Sequence, residues 1–176
     1  AELAEKWDAN ADGSAWTFVL RDGLKFSDGT PLTSEDVAYS FSRLLDAATK
    51  SPSFAGLSQM LDTSGIEVRD ARTIAFKLKS ANTVFPQQIA TRNFAVVKKG
   101  TTEFKVETAI GSGPFKIASF APGESWELVR NPNYWRAGLP YLDGIRQVKI
   151  DEPATLVQSL LSGQSDVIGQ VGPAQV

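Results

Sequence analysis

The sequence predicts a mixed α/β fold of the α+β kind, and three observations carry that prediction. In residues 16–20, Trp16, Phe18 and Leu20 share one face and Thr17 and Val19 the other, the period of two that a half-buried strand needs. Residues 33–46 place apolar side chains at helical spacing behind a capping signal. Residues 115–130 form two strand-like runs around Ala121-Pro122-Gly123-Glu124, which has turn chemistry.

Taken in order, Leu3 to Ala9 is a short amphipathic strand, and Asn10-Ala11-Asp12-Gly13 turns it into the strand at Trp16. Arg21-Asp22-Gly23 and Ser27-Asp28-Gly29-Thr30-Pro31 bracket a brief extended piece, Leu24-Lys25-Phe26. The Asp28-Gly29 pair lacks the spaced carboxylates of a calcium loop, so it reads as a turn. The helix over 33–46 starts at Thr33, with Asp36 three residues on able to reach back, and buries Val37, Phe41, Leu44 and Leu45. Glu35 and Asp36 also suit the positive end of the helix dipole, which accounts for this acidic pair without catalysis.

Lys50-Ser51-Pro52-Ser53 breaks the pattern before a short helix over 54–61. Ile66 to Arg69 and Thr73 to Leu78 make a hairpin, with Ile74, Phe76 and Leu78 aligned. Residues 82–90 read as a short helix with Pro86 in its first turn and Phe85 and Ile89 facing the core. A brief strand at Asn93 to Val97 follows, then a polar stretch from Lys98 to Thr108.

Gly111-Ser112-Gly113-Pro114 leads tightly into the next strand: the glycines permit positive φ or close backbone approach, and Pro114 pushes Gly113 away from helix. The run lacks the Lys-Ser/Thr of a phosphate loop and precedes a strand, so a turn is the better reading. In the hairpin after it, Trp126, Leu128 and Arg130 share a face, Asn131-Pro132-Asn133 ends the pairing, and Tyr134-Trp135 form an amphipathic anchor. Residues 145–150 alternate as a strand. Asp151 or Glu152 then caps a helix with Pro153 at its first position, a buried face of Leu156, Val157, Leu160 and Leu161, and Gly163 as its stop. With a further strand at Gln164 to Ile168, residues 145–168 predict a βαβ unit with a parallel strand pair.

Composition narrows the functional classes. The 176 residues are 42% hydrophobic, with 18 basic against 20 acidic side chains and a net charge of −2, so there is no basic field to hold nucleic acid. The absence of Cys rules out a disulfide scaffold and thiolate chemistry, and the absence of His removes the commonest general base and metal ligand. No catalytic residue, metal site or cofactor is expected. No apolar run is long enough for a membrane span, and Ala1-Glu2-Leu3 does not begin a signal peptide.

Five blocks resemble one family. Leu3 to Trp7, Trp16 to Val37, Ile66 to Leu78, Ile110 to Trp135 and Leu160 to Val167 are similar, in order and with ordinary spacings, to motifs of the extracytoplasmic solute-binding proteins (family 5) that serve peptide, opine and nickel ABC importers. The match includes the GTGPYKL and RNPDYW patterns, here GSGPFKI and RNPNYW. The resemblance implies a partial fold of the periplasmic-binding-protein type II kind: an accessory α+β subdomain over residues 1–106, and over 107–176 the middle segment of ligand-binding lobe one, containing the hairpin and the βαβ unit. The rest of lobe one and all of lobe two would lie outside the chain.

The implied role is to capture an oligopeptide or similar small solute, in the periplasm or lipid-anchored at the outer face of the cytoplasmic membrane, and deliver it to an ABC permease. The ligand-binding residues it implies are Phe54, Leu57, Asn93 and Phe94, against a core role for Phe54, Leu57 and Phe94. Gly111, Gly113 and Pro114 would be structural or hinge positions. Missing sheet neighbours would leave strand edges through which the chain could dimerise. Two rivals stand beside this reading: a ligand-sensing or structural module on the same fold, and a hydrolase using Glu35 or Asp36.

Overall fold

The computed structural model describes residues 2–169 and contains two antiparallel sheets. The first has the order β1-β2-β4-β3, built from β1 (Ala4–Ala9), β2 (Ala15–Leu20), β3 (Ile66–Val68) and β4 (Thr73–Lys77). The hairpin between β1 and β2 closes as its sequence requires: Gly13 has φ +72°, and the Asp12 carboxylate accepts from the Ser14 N–H at 3.0 Å and its hydroxyl at 2.6 Å. β4 runs beside β2 despite the fifty-odd residues between them, pairing Trp16 with Phe76 and Phe18 with Ile74.

Helix α1 (Ser34–Leu44) covers this sheet. Its start is tied by Asp36, whose carboxylate accepts from the Thr33 N–H at 2.7 Å and the Thr33 hydroxyl at 3.1 Å. Val37, Phe41 and Leu44 are buried, as the helical spacing predicts, and Leu45 is half-buried against them. Helices α2 (Phe54–Met60) and α3 (Phe85–Ile89) close the ends of the core, α3 with a proline in its first turn. Phe26, Phe76, Phe85, Leu57 and Leu61 have essentially no exposed surface. Each such side chain contributes roughly 1.5–3 kcal/mol by burial. Phe76 meets Phe18, Phe41 and Phe85 with ring centroids 5.7, 4.8 and 5.7 Å apart.

The second sheet is a meander of β5 (Phe115–Ala121), β6 (Ser125–Arg130) and β7 (Gly144–Val148). β5 has a register shift between Ile117 and Ser119, which leaves Ala118 without an opposite partner. That bulge explains why the side chains of 115–120 fail to alternate cleanly in the sequence. Helix α4 (Pro153–Leu161) follows, with the Glu152 carboxylate accepting from the Ala154 N–H at 3.5 Å and Gly163 at φ +75°. No helix among the described residues is long and apolar enough to cross a membrane.

Three expectations are corrected. Residues 93–97 form no strand: a 3₁₀ turn spans Arg92–Phe94, and Val97 is held by a side chain, its N–H donating to Ser40 Oγ at 2.9 Å. β7 pairs antiparallel with β6, and residues 164–168 carry no strand, so the parallel pair of a βαβ unit is absent among the described residues. The apolar stripe of α4 is buried only in part: Leu156 and Val157 are half-buried, whereas Leu160 is 40% exposed and Leu161 74%.

Candidate functional site

Two features stand out where the sheets approach each other: a polar junction and an apolar groove. The junction is built on the turn at 27–30. The Asp28 carboxylate accepts from the Thr30 hydroxyl at 2.6 Å, the Thr30 N–H at 3.0 Å and Lys98 Nζ at 2.8 Å. The Lys98 hydrogen bond, followed by that of Thr30, pulls its pKa down to about 2. Ser27 donates its N–H to the Gly111 carbonyl at 2.7 Å, and its own carbonyl accepts from Asn133 Nδ2 at 3.4 Å.

Asn131 completes the far side of the junction. It is 2% exposed, and its Nδ2 donates to the Gly113 carbonyl at 2.7 Å while its Oδ1 accepts from the Asn133 N–H at 3.0 Å. Both glycines of the Gly111–Pro114 run therefore act here through their carbonyls. Neither has a positive φ, and a Cβ on either would meet nothing within 4 Å, so the conformational reason expected for them does not hold.

The groove encloses about 830 Å³. Phe18, Phe41, Ile74 and Phe76 of the first sheet and α1 form its floor, Ile89 and Phe94 one wall, and Gly111–Pro114 the other. Phe94 stacks on Phe41 with centroids 5.8 Å apart. Among the described residues Glu2 is the only charged side chain lining it, and the Tyr134 hydroxyl donates to Glu2 Oε2 at 3.2 Å. Burial, then the Glu2 charge, pushes the Tyr134 phenol up from its ordinary pKa. The volume and lining suit an apolar occupant with one hydrogen-bonding end.

The four residues singled out for ligand contact fall in different surroundings. Phe94 borders the groove, Asn93 is exposed beside it, and Phe54 is half-buried at the first turn of α2. Leu57 has no exposed surface and belongs to the core cluster. Ser27, Asp28, Asn131 and Asn133 were legible in the sequence only as turn formers, since what they hold lies as far as 106 residues away.

The acidic pairs are committed to structure. Asp36 Oδ1 accepts from the Lys99 N–H at 2.8 Å, so both its oxygens are engaged, and Glu35 pairs with Lys99 Nζ at 2.8 Å. The Asp151 carboxylate pairs with Lys149 at 3.0 Å. Among the described residues no group of three or more His, Cys, Asp or Glu is arranged to hold a metal.

The model of the family described as bacterial extracellular solute-binding proteins, family 5 Middle, matches residues 1–176. The chain is 29% identical to the periplasmic murein peptide-binding protein MppA of Escherichia coli, with 94% of this chain and 34% of that protein covered. The nickel-binding periplasmic protein of the same organism is 30% identical, with 94% and 32% covered. A crystal structure of a periplasmic oligopeptide-binding protein of Borrelia burgdorferi superposes with a TM-score of 0.85 at 30% identity, covering 93% of this chain and 37% of that one. The chain thus spans about a third of the length of the relatives it matches.

Proposed function

The chain belongs to family 5 of the bacterial extracellular solute-binding proteins, and from that premise we propose that the protein carrying it captures a small solute, an oligopeptide or related compound, outside the cytoplasmic membrane and delivers it to an ABC importer. The observation that carries this reading is the family match along all 176 residues, together with relatives named for binding peptides. Residues 1–106 serve as the accessory subdomain and residues 107–176 as part of the first ligand-binding lobe. Phe54, Asn93 and Phe94, which keep exposed surface, are the side chains offered to the solute, while Leu57 supports them by packing. Gly111, Gly113 and Pro114 fix the approach of the second sheet. Closure of a second lobe over the solute gives the importer a loaded form to recognise.

Binding without chemistry also agrees with where the carboxylates stand. A general acid or base needs an oxygen free to reach a substrate proton, and both oxygens of Asp36 are held by backbone and hydroxyl donors. The test is native mass spectrometry of the whole protein as purified, followed by calorimetry with short peptides. A displaceable peptide or related solute, recovered unchanged, is the expected result. Turnover of an ester or glycoside abolished by Glu35→Gln, with no solute bound, overturns the reading in favour of a hydrolase.

A further inference from the structure

No strand of the first sheet pairs with a strand of the second. Beside the Tyr134–Glu2 hydrogen bond, an apolar anchor and a polar junction join the two. The anchor is Trp135, packed against the core of the first sheet with the Arg21 guanidinium 4.1 Å above its ring. The junction is the turn at 27–30, and it meets the rest of the chain in three places. Asp28 holds Lys98, which lies on the first sheet's side of the connection, and Ser27 holds Gly111, which leads into β5, so the turn is fixed to the first unit through Lys98 and reaches the second through Gly111. Asn133 rests on the turn from behind: its Nδ2 donates to the Ser27 carbonyl, and a Cβ at Gly29 would lie 3.7 Å from that nitrogen.

These two joints do different work. The half-buried indole of Trp135 holds the surfaces together chiefly through apolar contact, which is non-directional. Hydrogen bonds weaken steeply off axis, so the two that reach across from the turn, Ser27 N–H to the Gly111 carbonyl at 2.7 Å and Asn133 Nδ2 to the Ser27 carbonyl at 3.4 Å, select one angle, and the Asp28–Lys98 pair at 2.8 Å holds the turn that carries them. We propose that the turn at 27–30 is an orienting clasp, with Asp28 and Asn133 as its positioning residues, that sets the angle of the second sheet on the first and thereby the position of the Gly111–Pro114 wall of the groove. This deepens the functional reading above, because it rests on the division of the chain into an accessory subdomain and a lobe segment. The clasp keeps the two presenting their side chains to one solute as a unit.

The chain has no cysteine, so Asp8→Cys on β1 and Glu127→Cys on β6 give unique spin-label sites, both with side chains more than half exposed (65% and 52%). Electron-electron resonance on the labelled 176-residue chain reads the distance between the sheets. One narrow distance is expected in the otherwise unaltered background, and loss of that single distance to a broad or split distribution in Asp28→Ala/Asn133→Ala, with circular dichroism unchanged. Asn133→Ala alone, which leaves the Asn133 N–H on Asn131 Oδ1 in place, broadens it as well and serves if the double variant folds poorly. A distribution as narrow in both variants as in the background overturns the proposal. The readout contains no ligand, so that result is distinct from a failure to capture solute, which calorimetry reports.

Discussion

Replacing Asp28 by Asn removes a negative charge whose folded environment favours it, and the effect is readable through pH. The Lys98 ion pair and the Thr30 donors lower the Asp28 pKa from 3.8 to about 2. At about 1.4 kcal/mol per unit the full conversion is roughly 2.5 kcal/mol. The Asp28 and Lys98 side chains are 29% and 37% exposed, however, and solvent screening of such a pair reduces the contribution to about 1 kcal/mol. Because the folded pKa is the depressed one, this stability is fully present above pH 3.8 and is lost as pH falls through about 2. Urea unfolding of the parent chain and Asp28→Asn should therefore differ by about 1 kcal/mol at pH 6 and converge near pH 2. The other lowered carboxylates, Asp12, Asp62 and Asp70, titrate in both proteins and cancel in the difference. A gap that is the same at both pH values would refute the reasoning, since it would show that the charge on Asp28 contributes nothing.

Leu57→Ala should lower stability by about 3 kcal/mol, read as a fall in the urea midpoint, because it opens a cavity at a side chain with no exposed surface. A loss near zero would return Leu57 to the solute-facing residues. Gly65→Ala should cost about 1–3 kcal/mol in thermal unfolding, since the new Cβ would sit 2.3 Å from the Lys77 carbonyl oxygen, and backbone cannot step aside.

Much of the architecture was legible because its causes are local. The capped helix from Thr33, the strand with Phe18 facing in, the proline-started α3 and α4, and the hairpins β1–β2, β3–β4 and β5–β6 follow from side-chain period, caps and turn residues within a few positions of each other. Asn93 to Val97 was misread for the complementary reason. The run has strand-forming residues, but the backbone N–H and carbonyl of Val97 are both taken by the Ser40 hydroxyl. Gly111 and Gly113 need no unusual φ, whereas Gly65, which carries no signal in the sequence, is required because a side chain there would meet the Lys77 carbonyl of β4.

By itself the sequence determined most of the elements, though not the strands expected at 93–97 and 164–168, the exclusion of thiolate and imidazole chemistry, and through its five motif blocks the family. Only the tertiary structure decided that β4 lies beside β2, that Leu160 and Leu161 of α4 stay exposed, that Leu57 is core while Phe94 borders a groove, and that one turn gathers Lys98, Gly111 and Asn133. The division has a physical cause. Periodicity and capping are settled among residues within a turn or two of one another, whereas burial, groove lining and ion pairing depend on which distant surfaces meet, and the closure of long loops leaves no local trace.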